Sequence, residues 1–317
     1  MNKISAKNNP VLQKIAMGYQ NDSTSFIIPK LFPSVVVDSL QGDIKNYGRD
    51  NLRIINTIQG DGPSAVLTHT VTKATKWDIE KHSLRSLVTE KDMDQLGADQ
   101  AKADFTEMNM ETLMLSREYA GISAITTTGN YVNSNTVTLV GNQKWSDHTN
   151  STPKSDLRTA RERVRTNIGK YPNTAVMNAV VLSNLIEHPS MIQAAIQVGQ
   201  DSASLDRLKA ILFPLLPASE CDILVAMSQY NSANKGQTAV MADVMGNHFV
   251  YAYVNKSPSP KQHQDSLGYS FNRGKNAIQV KTWIDEDLDP QPWVKDEWEY
   301  DDVVLTFKAG YLIYNAA

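Results

Sequence analysis

The sequence predicts an α+β protein with two or more lobes. Three observations carry this. One long amphipathic helix fills residues 99–123. Period-two strand runs close the chain at 278–284 and 303–313. Between them lies a compact stretch of alternating short helices and strands. The 317 residues exceed what a single core usually holds. Apolar residues at 41% and charged residues at 21% place the chain among ordered globular proteins.

Each element follows in order. Residues 1–20 carry Lys3, Lys7 and Lys14 and no acid, with few sizeable apolar residues. Such a segment cannot offset its ordering entropy alone. It is either a frayed terminus or an arm that orders against a neighbouring subunit. Phe26-Ile-Ile-Pro-Lys-Leu-Phe-Pro-Ser-Val-Val-Val is apolar but broken by Pro29 and Pro33, and reads as extended chain or edge strand. Residues 46–85 read as a polar hairpin turning at Gly60-Asp61-Gly62-Pro63, with Arg49, Arg53 and Trp77 on its arms. A hairpin with so few large apolar residues must lie on something.

The helix at 99–123 places Ala101, Phe105, Met108, Leu115, Tyr119 and Ile122 on one stripe, predicted to face a sheet. A second helix, 154–168, follows a Thr152-Pro153 start and presents Arg158, Arg161 and Arg165 on one face. That face has three readings: solvated surface, ion pairs with another subunit, or contact with DNA. Residues 174–177 read as a strand, and 180–186, 190–197 and about 203–213 as helices. Strand character returns at 222–226 and 238–254, before a Ser/Pro/Lys-rich loop at 256–266.

The segment DEDLDPQPWVKDEWEYDD, 285–302, holds nine acids and one base. It reads as a charged loop with a rigid tip at Pro290, Pro292 and Trp293. Solvated acids, a divalent-ion site and a contact with basic segments of another subunit are the three readings. The spacing does not match an EF-hand loop.

Catalytic signatures are missing from the sequence. There is no G-x-S-x-G, no G-x-x-x-x-G-K-[ST] and no G-x-G-x-x-G. Cys221 is the one cysteine, and the six histidines form no H-x-x-x-H. No cofactor and no enzymatic activity are expected. The formal net charge of −3 argues against a dedicated nucleic-acid binder. No run of 18 apolar residues suggests a membrane span, and residues 1–20 lack the apolar stretch of a secretory signal.

A set of spaced residues adds a family resemblance. Trp145-Ser146-Asp147, Asn150-Ser151, Pro153, Asp156-Leu157-Arg158, Pro172-Asn173-Thr174 and His188-Pro189 stand in this order and near this spacing in major capsid proteins of tailed bacteriophages. The chain resembles that family from about Phe26 to its end. The resemblance implies a Hong Kong 97-like capsid fold: an N-terminal arm at 1–45, an extension loop at 46–88, a peripheral domain at 89–152 and 277–317 with a long spine helix, and an axial domain at 153–276. It makes 285–302 a protruding loop meeting its copies at symmetry axes. It implies a shell of hexamers and pentamers in a virion, assembled in the bacterial host cytoplasm. The expected partners are a separate scaffolding protein, a portal protein, a decoration protein and, non-specifically, packaged double-stranded DNA. The candidate intersubunit contacts are Lys3, Lys7, Lys14, Arg49, Arg53, Trp77, Arg158, Arg161, Arg165, Asp285, Glu286, Asp287 and Trp293. Two alternatives stand beside it: the shell of an encapsulin-like compartment, and an α+β enzyme of unknown activity.

Overall fold

The computed structural model describes residues 7–22, 26–47, 54, 71–197, 205–258, 265–274, 277–285 and 289–317. The N-terminal part runs β1 (Lys7–Asn8), α1 (Pro10–Asp22), α2 (Ile28–Leu31), β2 (Ser34–Val37), β3 (Gln41–Tyr47), β4 (Val71–Asp78), β5 (Glu80–Leu87), α3 (Glu90–Leu96) and α4 (Ala98–Thr126). Helix α1 opens on Pro10, where a missing N–H costs nothing. The Asn9 carboxamide oxygen accepts from the Val11 and Leu12 amides. From Lys7 onwards this segment folds onto its own subunit. Lys7 pairs with Thr282, and Leu12 and Ala16 are buried in the same cluster as Met110 and Val280. The reason is a short apolar face on α1 that composition alone understates. Helix α3 starts at a reciprocal Thr89–Asp92 capping box.

The C-terminal part holds β6 (Thr136–Thr138), α5 (Pro153–Ile168), β7 (Thr174–Asn178), α6 (Ala179–Glu187), α7 (Pro189–Gln197) and α8 (Leu205–Leu212). It continues through β8 (Asp222–Ala226), β9 (Gln229–Asn231), β10 (Met241–Asp243), β11 (Phe249–Ala252), β12 (Gly268–Arg273), β13 (Ile278–Asp285), β14 (Asp289–Val304) and β15 (Gly310–Tyr314).

Two sheets organise these elements. The first has the order β1-β13-β14-β12-β2, with β5 also paired to β14. Strand β14 is its centre. Its first half lies between β13 and β5, and its last five residues pair with β12. The second has the order β6-β15-β11-β7-β8. Both its faces are covered. Ala175, Met177, Phe249, Tyr251, Tyr311 and Ile313 pack in one cluster with α5, α6 and α8 residues. Val176, Val250, Ala252 and Leu312 pack in another. Strands buried on both faces read as continuous apolar runs, as FVYA does here.

Helix α4 links the sheets. Its 29 residues at about 1.5 Å each give about 44 Å. Met110, Leu113 and Met114 pack over the first sheet, while Ile122 and Ile125 reach the second. The predicted stripe is rotated relative to the buried one. Ala101 and Ile122 are buried, Phe105 and Leu115 only half so, and Met108 and Tyr119 face solvent at 61% and 50% exposure. The buried face also carries Thr106, Asn109, Arg117 and Glu118. Polar residues with dedicated partners occupy much of it, so an apolar count finds Ala101 and Ile122, and the half-buried Phe105 and Leu115, but misplaces Met108 and Tyr119.

Two strand expectations also change. The run 303–313 is not one strand. Thr306 accepts from the Lys308 amide, a one-turn 3₁₀ segment forms at Phe307–Ala309, and the chain passes from the first sheet to the second. The C-terminus is tied into that second sheet, as its alternation predicts. The loop expected at 285–302 is mostly strand β14.

The hairpin is described at its base. β3 and β4 pair antiparallel, and Trp77 stacks on Phe271 with centroids 4.9 Å apart. Gly42 makes this possible, since a Cβ there would lie 2.1 Å from the indole. The Gly60–Pro63 turn lies outside the described residues.

Candidate assembly surfaces

The acids of β14 divide by strand alternation. Val294, Asp296, Trp298, Tyr300 and Asp302 point towards α4, and Lys295, Glu297, Glu299 and Asp301 to the opposite face. On that opposite face, Glu297 pairs with Lys281 at 2.5 Å, Lys295 at 2.7 Å and Lys81 at 3.4 Å. Burial raises its carboxyl pKa, but these ammonium groups outweigh burial and bring it to about 2. Glu299 pairs with Arg273 at 3.1 Å and Lys81 at 3.4 Å. Asp301 accepts from the Asp78 amide at 2.8 Å. Burial raises its pKa, and the nearby carboxylates of Asp302, Asp78 and Glu80 add to the rise.

The face towards α4 is drier. Arg117 gives its Nε and Nη2 to the two oxygens of Asp302, at 2.6 and 2.8 Å. Its Nη2 also donates to Ser270 Oγ, and the guanidinium lies over the rings of Trp298 and Tyr300. Such a fork suits arginine and not lysine. Glu118 accepts from the Ile27 and Ile28 amides at 3.0 Å and so caps α2. Its pKa is raised by burial, which outweighs those amides. Asp296 is fully buried. One oxygen accepts from Asn109 Nδ2 at 2.8 Å, while Asn109 in turn accepts from Ser86. The other oxygen of Asp296 has no hydrogen-bond partner, and burial raises the carboxyl pKa to about 7.

For Glu297, Glu299 and Asp302 the compensation expected from neighbouring subunits is supplied within the subunit. Lys81, Arg117, Arg273, Lys281 and Lys295 pair with these three acids, while Asp296 and Asp301 have no cation partner among the described residues. The signal for it was cross-strand position rather than sequence proximity. Of the predicted contact residues, Lys3, Arg49, Arg53, Glu286 and Asp287 lie outside the described residues. Lys7 and Asp285 sit in β1 and β13. Lys14 is exposed on α1. Trp77 is buried in its own subunit, so its ring is not offered to a neighbour. Trp293 stacks near Trp283 and under Arg85 within the sheet. Arg158 is exposed on α5, whereas Arg161 and Arg165 both approach Glu162, and Arg165 covers Tyr171.

The residues behind the family resemblance make several buried contacts within the subunit. Trp145 is buried and its Nε1 donates to Asp156 Oδ2 at 3.0 Å. His188 Nδ1 accepts from the Ser190 amide, which leaves Nε2 to donate to Ser151 Oγ at 3.1 Å. Asn173 clamps Val254 with its carboxamide, donating to the carbonyl and accepting from the amide. Asp147 binds the Thr149 and Asn150 amides in a turn. Its neighbours Ser146 and His148 make no catalytic constellation with it. Trp145 and Ser151 thus tie the start of α5 to the loop before it and to the start of α7, and Asn173 ties the chain before β7 to the chain after β11, a folding role. Among the described residues, no three His, Cys, Asp or Glu side chains are grouped to hold a metal. None of the described helices is long and apolar enough to cross a membrane.

Two main sheets spanned by one long helix define the architecture. The chain has the phage capsid fold. No family model matches it. It is 24% identical over 309 residues to the major capsid protein of Burkholderia phage BcepMu, covering 96% of this chain and 95% of that one. A phage-related protein from Bordetella bronchiseptica RB50 superposes with a TM-score of 0.74 at 23% identity, covering 98% of both chains. The capsid of cyanophage P-SCSP1u superposes at 0.54 with 11% identity, over 91% of this chain and 88% of that one. An encapsulin of Synechococcus elongatus PCC 7942 is more distant, at 0.50 and 10%, over 90% of this chain and 85% of that one.

Proposed function

We propose that this chain is a major capsid protein, whose copies assemble into the icosahedral shell around the genome of a tailed bacteriophage. The carrying observation is the alignment with a phage major capsid protein along 96% of the chain, on a shared fold. The role is structural. The encapsulin compared is the more distant likeness, at a TM-score of 0.50 and 10% identity.

In this reading residues 1–45 are the arm, 46–88 the extension loop, 89–152 and 277–317 the peripheral domain, and 153–276 the axial domain. The two domains exchange strands at their junction, since β15 and β6 complete the second sheet. Hexamers and pentamers form the shell in the virion, assembled in the host cytoplasm. A separate scaffolding protein, a portal and a decoration protein are the partners, with packaged DNA against the wall. The exposed cations Lys14 and Arg158 are candidate contacts between subunits, together with Lys3, Arg49, Arg53, Glu286 and Asp287.

Negative-stain microscopy of the expressed chain, alone and co-expressed with a scaffolding protein, tests this. Closed, empty shells are expected. Monodisperse monomers under both conditions would overturn it. Shells that copurify with one enzyme bound by a short peptide would establish the compartment instead.

A further inference from the structure

Helix α4 turns outward Met108 and Tyr119, two members of the stripe that an apolar count marks as its buried side. Met108 and Tyr119 are mostly exposed there, the latter edge-on to Tyr230 of β9. Beside them Asp104, Glu107 and Glu111 follow at steps of three and four, so they share one side of the helix. Glu107 and Glu111 are exposed and enter no ion pair among the described residues. An apolar strip bordered by charge has the make-up of a protein interface.

A complementary face exists on α5. Lys154 and Arg158 are exposed, one turn apart, and enter no ion pair among the described residues. Their spacing of about 6 Å along the axis equals that of Glu107 and Glu111. The α4 acids do not bond the α5 cations within this subunit. Three acids of β14, Glu297, Glu299 and Asp302, are already held by Lys81, Arg117, Arg273, Lys281 and Lys295. Asp296 is buried against Asn109, and Asp301 accepts from the Asp78 amide.

We propose that the α4 face bearing Glu107, Met108 and Glu111 docks onto the α5 face bearing Lys154 and Arg158 of a second copy of this chain. The inference rests on the shell reading and names one of its contacts. The two faces differ, so the contact is head-to-tail. A head-to-tail contact repeats around a ring when its rotation closes, whereas a self-matching patch stops at a dimer. Hexamers and pentamers require the former. The acids and cations at the border set register, and Met108 supplies the dehydrated centre.

Charge reversal on the full chain tests this. Glu107→Arg with Glu111→Arg, and separately Lys154→Glu with Arg158→Glu, should each lower the assembled fraction by about tenfold or more. The unassembled subunit should keep the wild-type Tm. Combining all four changes should restore shells, because the charges are again opposite. Neutralising Glu107→Gln with Glu111→Gln should fold normally and make assembly less sensitive to salt. Wild-type assembly by either reversed pair, or failure of the folded fourfold variant to assemble while the wild type does, would overturn the contact and leave the shell reading standing. An unchanged salt response of the neutral variant would also count against it. Failure of the wild type itself would remove both.

Discussion

At the scale of single residues, the buried polar groups of α4 and β14 set how stability depends on pH. Asp296 has a folded pKa of about 7 against an ordinary 3.8, because it is buried with one oxygen unpartnered. The raised value fixes the sign. Below about pH 4 both states are protonated and the stability is complete, and it is then lost as pH rises to about 7, at up to about 1.4 kcal/mol per unit. Glu297 acts oppositely. Its pKa falls from 4.5 to about 2, so its stabilisation is present above 4.5 and lost as pH drops towards 2. Between pH 5 and 7 the Asp296 effect governs of these two. Asp296→Asn keeps an oxygen for Asn109 and removes the titration. Denaturant unfolding of the subunit across pH 5–8 should then give a flatter profile than the wild type, with the largest gain at pH 8. Parallel profiles would show that Asp296 does not titrate in this window. Arg117 is a separate matter, since its loss strands Asp302. Arg117→Ala should cost about 3–5 kcal/mol, read as a lower denaturation midpoint. Arg117→Met combined with Asp302→Asn should recover much of that, because no buried charge is left alone. Equal loss in both variants would rule out stranded charge as the cause.

At the scale of elements, α4 and β14 show how far the sequence could be read. The existence and position of α4 follow from its periodicity, and its ends fall within a few residues of 99 and 123. Its facing does not, because Thr106, Asn109, Arg117 and Glu118 are buried against partners far along the chain. No local pattern reveals those partners. The consequence is measurable. Met114→Ala, at a fully buried site, should destabilise the unassembled subunit by about 2–5 kcal/mol. Met108→Ala should shift it by less than about 0.5 kcal/mol. Reversed magnitudes, by denaturant unfolding, would mean that the apolar stripe does face the sheet. In β14 the alternation of Val294, Trp298 and Tyr300 is present in the sequence, but Asp296 and Asp302 interrupt it and the outward acids dominate the composition. Charge density therefore suggests a loop where cross-strand lysines make a strand. The second sheet was more legible, because its strands are apolar on both faces and end at turns. The candidate contacts were the least legible. Whether a charged side chain finds a partner in its own subunit depends on strand register, and that is why Lys81, Arg273, Lys281 and Lys295 were absent from the predicted set.

At the scale of the whole molecule, the hairpin tests whether folding and assembly are separable. Its base belongs to the subunit, since Ile44, Trp77 and Ile79 are buried in one cluster with Val35, Tyr269 and Phe271. Residues 55–70, beyond that base, hold few large apolar side chains and could not sustain a hairpin in water alone. In the proposed shell such a segment is expected to find its support on a neighbour. Replacing 55–70 by a short Gly-Ser linker keeps β3 and β4 paired and lengthens nothing that folding must close. The variant should therefore unfold at a Tm near that of the unassembled wild-type subunit and yet form no shells by microscopy or sedimentation. Trp77→Ala should do the reverse in order of events. Emptying the space above Phe271 costs about 3–5 kcal/mol in the subunit itself, so its folding should fail before assembly can be examined, with a lowered Tm in the unassembled fraction. Normal shells from the linker variant would show that 55–70 does not make the contact. A linker variant as destabilised as Trp77→Ala would instead make the segment part of the subunit's own core.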